Sequence, residues 1–366
     1  VVGPKLKTIH GVDAVRLLSA LSVMLFHLGY WIGVPTSMGG QITRGSFVFP
    51  WATGTLSLGK MGVQTFFVIS GFVIAYTVQN ATWASFLRSR ILRLVPSVWI
   101  CGTITLFIAL AIHNRTSESL VWAWLRSIFF VPLGERIDGP YWTLPIECSF
   151  YFLVFLLIVF KSMDWFEHVF VVLAGTSLVF CVWIFLIHPE LNGLSWDPRF
   201  QVLLLVHGGE FAVGIFLWAI LFKGVSALRL TGLFLGFSAG TLEIMNWMVR
   251  PEDRVPGVAL WILSIAAIVA SAYCNDWIDS RLSQNGRSII RQAGLITYPL
   301  YLLHELIGSV LMRELARFGV AQVACLGIAM IILIGAALVI SCYGEPALRR
   351  WLFAPALDRI GVTVSQ

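Results

Sequence analysis

Charge is what this sequence has least of. Its 366 residues hold 25 Lys and Arg and 19 Asp and Glu, so 12% of the chain is charged, against about 25% in an ordinary soluble domain. That deficit excludes a soluble enzyme, a nucleic-acid-binding protein and a disordered regulator. The formal net charge of +6 does not reopen nucleic-acid binding, because the basic residues are dispersed along the chain. In a membrane protein, inner-loop bias and anionic lipid account for such an excess. Cysteine motifs are lacking as well. Cys101, Cys148, Cys181, Cys274, Cys325 and Cys342 fall in or at the ends of apolar runs, with no C-x-x-C spacing. Neither a disulfide framework nor a thiolate metal site is expected, and the six read as small core hydrophobes. The first apolar run begins beside Asp13 and Arg16 and has no A-x-A exit, so it is expected to stay as a first spanning helix. No repeat, low-complexity tract or soluble linker interrupts the chain. A single transmembrane domain is expected over residues 1–366, with its core at about 12–350 and no separate soluble domain.

What the sequence does have is apolar length. It is 58% hydrophobic and 13% aromatic, with a mean hydropathy of +0.85. Crossing ~30 Å of hydrocarbon takes about 20 apolar residues, and ten segments qualify: roughly 12–31, 60–79, 94–113, 142–160, 166–187, 200–222, 229–249, 256–274, 292–312 and 321–343. The fold class predicted is an all-α polytopic integral membrane protein with about ten spans. The stretch 120–132 is apolar but short and carries Arg126, which suits an interfacial or re-entrant helix. With the N-terminus inside, 14 Lys and Arg, Lys5, Lys7 and Arg359 among them, fall on the inner side and 10 on the outer. That puts both termini in the cytoplasm. The connection 32–59, rich in Gly, Thr, Ser and Pro, is long for a structureless loop and is expected to cap an outward cavity.

Ionisable groups inside hydrocarbon are costly, about 2.5–3.5 kcal/mol each at the centre, and therefore mark function. Arg16 and His27 are eleven positions apart in the first span. At 100° per residue they share a face about 20° wide, ~16 Å apart along the axis. Asp13, at i−3, is placed to pair with Arg16. A second constellation is Gly139-Pro140-Tyr141-Trp142-Thr143-Leu144-Pro145-Ile146-Glu147, in which Trp142 suits the outer interface and Glu147 lies about one turn into the membrane. That carboxylate reads as a structural partner or as the group orienting an imidazole. A third is the inner loop 85–96, where Arg88, Arg90 and Arg93 have no acid nearby in sequence. They read as topology anchors or as a phosphate clamp suited to a multiply phosphorylated cofactor such as coenzyme A. Weaker signals are Ser70-Gly71-Phe72, which allows close backbone approach, and Tyr301, His304 and Glu305 after Pro299, clustered at i, i+3 and i+4. His207, Glu210 and Glu243 are further intramembrane ionisables. No metal is expected, since no helix carries H-x-x-x-H or E-x-x-H and His207-Gly-Gly-Glu210 is an isolated match of the reversed kind.

Taken in order, these pieces resemble the membrane acyltransferase-3 family of bacterial O-acetyltransferases acting on cell-surface and exported glycans. The resemblance runs from Val12 to about Arg350. It is carried by Val12-Asp13-Ala14-Val15-Arg16 with ten residues to His27, Gly62 through Phe72, the R-x-x-R of Arg90 and Arg93, Tyr141-Trp142-Thr143-Leu144 with Glu147, and Tyr298 through His304. The family often has a second acid where Cys148 stands, which counts against a paired-carboxylate mechanism. The resemblance implies an acyl-CoA donor, usually acetyl-CoA, held from the cytoplasmic side of a bacterial inner membrane. It implies a glycan or lipid-linked glycan acceptor, with membrane lipid as the surrounding partner and no nucleic acid. His27 would be the catalytic base or acyl acceptor and Glu147 would orient it. Arg16, Arg90, Arg93 and Ser70 would hold the donor, with Asp13, Arg88, Trp142, Tyr301 and His304 around the substrates. Acylation of a small lipophilic natural product, proton-coupled transport and a non-catalytic scaffold are the alternatives.

Overall fold

The computed structural model describes residues 9–79, 81–113 and 115–358, with side chains through Trp351, and among these there is no strand. Twelve main helices follow in chain order. They are α1 (His10–Leu25), α2 (Gly62–Thr77), α3 (Trp83–Ala111), α4 (Ser117–Ile128), α5 (Thr143–Val159) and α6 (Phe166–Val182), then α7 (Gly208–Lys223), α8 (Ala227–Trp247), α9 (Arg254–Tyr273), α10 (Gln284–Arg317), α11 (Gln322–Val339) and α12 (Glu345–Asp358). Helix α1 passes directly into a π turn, Phe26–Tyr30. The protein is an all-helical, multi-pass membrane protein, and Phe107, Val172 and Phe234, each more than 60% exposed, present the apolar exterior that lipid requires.

Among the described residues, eight helical stretches are long and apolar enough to cross a membrane by length and composition, where the sequence predicts about ten. The two that fall short are 200–222 and 229–249. In the first, a short helix Pro198–Val202 ends in a non-helical turn with Leu204 at φ 59°, and the chain becomes helical again only at α7, 16 residues long. In the second, α8 spans 21 residues but mixes Gly, Ser, Thr, Glu and Asn into its apolar positions. Helix α4, 12 residues or ~18 Å long, is too short to cross.

Two other expectations are corrected. The inner loop 85–96 is helical: α3 begins at Trp83, Thr82 caps it by accepting the Ser85 N–H at 3.2 Å, and Pro96 lies inside the helix. Leu and Arg are strong helix formers, and a membrane helix tolerates one interior Pro because neighbouring groups re-satisfy the freed carbonyl. The connection 32–59 is not structureless either. It folds into Met38–Thr43, Pro50–Ala52, Thr53–Ser57 and Leu58–Met61. Lys5, Lys7 and Arg359 lie outside the described residues.

The chain forms two compact units, each assembled from separated segments. One comprises the described residues up to Phe26, Phe49–Phe86 and Trp142–Gly294; the other comprises His27–Val48, Leu87–Tyr141 and the described residues from Leu295 on. In the first unit α2 and α7 pack backbone to backbone. A Cβ at Gly71 would stand 2.1 Å from the Phe211 carbonyl oxygen, and one at Gly214 would stand 2.0 Å from that of Val68. Small residues permit this approach, which is how helices gain packing where no hydrophobic force separates protein from lipid. In the second unit α10 packs against the π turn: a Cβ at Gly308 would meet the Leu28 side chain at 2.7 Å. That contact sets the face of α10 one turn below Gly308 beside His27.

Candidate active site

The second unit holds a chain of polar groups that begins on α10. His304 Nδ1 lies 2.8 Å from the Tyr301 carbonyl oxygen. A carbonyl cannot donate, so Nδ1 of His304 carries its proton and, in the neutral ring, Nε2 is the acceptor. His27 Nδ1 lies 3.0 Å from that Nε2 and must therefore be the donor. The two rings meet edge to face, centroids 4.7 Å apart. By elimination, Nε2 of a neutral His27 is its basic nitrogen, and it faces Glu305 Oε2 at 3.6 Å. His27 sits in the π turn, the kind of backbone bulge often found at functional sites. The tautomer of the candidate base thus follows from one backbone carbonyl two residues-in-contact away, without any ligand.

Asp138 completes this group. Its side chain is fully buried, accepting the Gly139 N–H at 2.8 Å and the Leu306 N–H at 3.1 Å. Burial pushes its carboxyl upward, opposed by those two N–H groups and by Arg115. By holding the backbone of Leu306, Asp138 fixes the residue next to Glu305. A Cβ at Gly139 would stand 2.0 Å from Glu305 Oε2, so only a residue without a side chain leaves that carboxylate its place.

The other candidates divide between the units. In the first, Arg16 donates to Asp13 at 2.8 Å. Glu147 Oε1 accepts from Ser70 Oγ at 3.2 Å and from the Tyr151 hydroxyl. Trp142 packs against Phe67, His207 and Trp247, with centroids 6.4, 5.4 and 5.3 Å apart. In the second, Arg88, Arg90 and Arg93 lie on the first turns of α3. Arg90 is buried and donates to Ser89 Oγ at 2.9 Å. The sequence shows no acid near these arginines, but the fold supplies one: Glu345 of α12 interacts electrostatically with Arg93, accepts from Ser97 Oγ, and takes a 2.7 Å hydrogen bond from Arg349. Sequence reading assigned no role to Glu305, Asp138 or Glu345. For Glu305 the signal was its place directly after His304; for Asp138 and Glu345 none was available, since each meets its partners across long sequence separations.

A family model described as an acyltransferase domain matches residues 9–343, nearly the whole chain. The chain belongs to the acyltransferase-3 family. Among curated relatives, the O-acetyltransferase OatA of Staphylococcus aureus is 24% identical over 330 residues, covering 80% of this chain and 49% of that protein. The exopolysaccharide production protein ExoZ of Rhizobium meliloti is 25% identical over 286 residues, covering 74% of this chain and 83% of that protein. The peptidoglycan O-acetyltransferase OatA of Listeria monocytogenes is 23% identical over 206 residues, covering 50% and 29%. The chain spans about half the length of the Staphylococcus aureus relatives it matches. No solved structure gives a significant match. As a member of this family, the protein is placed in the bacterial inner membrane as a multi-pass protein.

Proposed function

We propose that this protein is a membrane O-acyltransferase that moves an acyl group, acetyl in the first instance, from acyl-CoA to a hydroxyl of a cell-surface or exported glycan. Family membership supports acyl transfer, and the names of the relatives support O-acetylation of peptidoglycan or exopolysaccharide as the class of reaction. The observation that carries the reading is the hydrogen-bonded His27–His304 pair, which makes Nε2 of His27 a base beside a buried carboxylate.

In this reading the acceptor hydroxyl loses its proton to His27 Nε2 as its oxygen attacks the thioester carbonyl. The tetrahedral intermediate then expels the thiolate, which recovers that proton from the imidazolium, so atoms and charge balance without a further reagent. Glu305, facing the nitrogen that takes the proton, offsets the charge of the imidazolium, while His304 on the opposite nitrogen holds the ring as the acid does in a catalytic triad. These two share the role the sequence gave to Glu147, whose Oε1 is engaged by Ser70 and Tyr151. On the donor side, guanidinium geometry suits phosphate, so Arg90 and Arg93 are assigned to the acyl-CoA. Acceptor identity separates this reading from acylation of a small lipophilic compound. Surface polysaccharide from cells with and without the protein should differ in base-labile acetyl esters. Identical ester content, with acylated small molecules instead in the lipid extract, would overturn the glycan assignment.

A further inference from the structure

The first unit contains a second buried polar cluster that the acyl-transfer reading leaves unused. Three helices build it. His207 stands immediately before α7 and Glu210 in its first turn, where the chain has just emerged from the turn Leu203–His207. Glu243 comes from α8, and Gln64 from α2 donates to Glu243 Oε1 at 3.2 Å. Close packing brings α7 and α8 together: a Cβ at Gly209 would stand 2.9 Å from the Gly236 carbonyl oxygen. All four side chains are fully buried.

Their polar atoms are not used up among themselves. His207 Nδ1 approaches Glu243 Oε1 at 3.1 Å but outside hydrogen-bond geometry. Both ring nitrogens of His207 and Gln64 Oε1 have no hydrogen-bond partner among the described residues, and the Glu210 and Glu243 carboxyls can hydrogen-bond each other only by holding one proton between them. In proteins generally, roughly nine in ten buried polar groups have a hydrogen-bond partner, so several orphans within one cluster point to a missing one. Phe67, Trp142 and Trp247 enclose the imidazole, with centroids 5.0, 5.4 and 5.0 Å away. Lys60, the neighbouring cation, donates to the Trp247 carbonyl at 2.7 Å and lies over the Trp196 and Trp247 rings.

We infer that His207, Glu210 and Glu243 bind a divalent metal ion. One ligand atom from each can be chosen so that all lie within 4.8 Å of one another. Ligands at about 2.0–2.2 Å from a common ion lie roughly 3.3–4.4 Å apart, so a small rotamer adjustment closes the set. One imidazole and two carboxylates suit zinc or a similar first-row ion, and Gln64 Oε1 is available as a fourth ligand. The dication answers the charge of two carboxylates in an apolar core and supplies His207 with a partner. The turn before α7 is irregular backbone beside Ser177, midway along α6, which donates to the Val206 carbonyl at 3.3 Å. Non-helical backbone inside a membrane protein is tolerated where it is enclosed by protein or lines a site. An ion here would tie that turn to α2 and α8. No single helix carries the full ligand set, which is why spacing along the sequence argued against a metal.

Elemental analysis tests the inference. The intact protein, purified in detergent without a polyhistidine tag and dialysed against metal-free buffer, should carry about one zinc, manganese or iron per chain. His207→Ala with Glu243→Gln should lower that at least tenfold, while the lone variant Glu210→Gln lowers it partially. Wild-type protein that is monodisperse and contains less than a tenth of an equivalent of any divalent ion would overturn the site and leave a shared proton between the carboxyl groups. Because wild-type content alone decides this, misfolded variants do not protect the inference. Unchanged metal content in a monodisperse double variant would likewise overturn it.

Discussion

At His27 the direction of one hydrogen bond decides which nitrogen of the proposed base is the basic one. The Tyr301 carbonyl forces a proton onto His304 Nδ1, and each following donor is then fixed until Nε2 of His27 remains as the base beside Glu305. Loss of a general base costs typically 10²–10⁴-fold in rate, so His27→Ala and His27→Gln should both lose transfer by at least that factor while still binding CoA. A glutamine that restored activity would show the histidine to be structural. Glu305→Gln should lower kcat at least tenfold with the donor KM unchanged, because it removes the charge that steadies the imidazolium. Glu147→Gln keeps an acceptor for Ser70 and Tyr151 and should lower kcat less. The reverse ranking, read from steady-state kinetics, would return the task of stabilising the imidazolium to Glu147. The sequence singled out His27 because an ionisable group in hydrocarbon is conspicuous by itself. It did not single out Glu305 as the partner, because pairing depends on how α10 lies against the π turn, and nothing local to either residue encodes that.

Helix α3 shows the same limit at the next scale. Its arginines were legible as a cluster, and their helical setting was not, because a run of Arg and Ser ahead of a proline reads equally well as a loop. Nor was Glu345, which the fold brings to Arg93 from α12. This neighbour gives the donor-site assignment two consequences of opposite sign. A hydrogen bond to a charged group contributes about 1.5–3 kcal/mol, so Arg90→Ala and Arg93→Ala should each raise the acyl-CoA dissociation constant about tenfold or more. Lys at either position should recover part of this, since charge survives and the two-pronged geometry does not. Glu345→Gln removes a carboxylate that competes with phosphate for Arg93 and should tighten CoA binding. Calorimetric titration of CoA reads all three. If the arginine variants bind CoA as the wild type does, these residues are topology anchors only.

For the whole molecule, the choice between eight and ten spans turns on whether α7 and α8 cross. By length and composition they do not qualify, but α7 is short only because the segment 200–222 breaks in two, and its residues from Gly208 to Ala219 are buried in protein, so lipid thickness does not set their length. Geometry within the first unit bears on the answer. Arg229, at the start of α8, donates to both oxygens of Glu167 at 2.8 and 3.1 Å, and Lys223, at the end of α7, lies 3.8 Å from the same carboxylate. Glu167 is in the first turn of α6. The α7–α8 connection therefore lies at the same end of this unit as the α5–α6 connection. If the N-terminus is cytoplasmic, as the charge bias predicts, the α5–α6 connection follows four crossings, those of α1, α2, α3 and α5, and is cytoplasmic too. If α7 and α8 both cross, their connection follows six and is also cytoplasmic; if neither crosses, it follows five and is outside, which the ion pairs contradict. Ten spans is thus the expected count. Reporter insertions after Thr82, Gly224 and Ser283 should all report cytoplasm, and the insertion after Gly224 is the decisive one, because the other two sites give the same answer for eight spans and for ten. An external signal at Gly224 would remove α7 and α8 as spans. An external signal at Thr82 would put the α3 arginines on the wrong side of the membrane for a cytoplasmic donor, and the acyl-CoA assignment would fall with it.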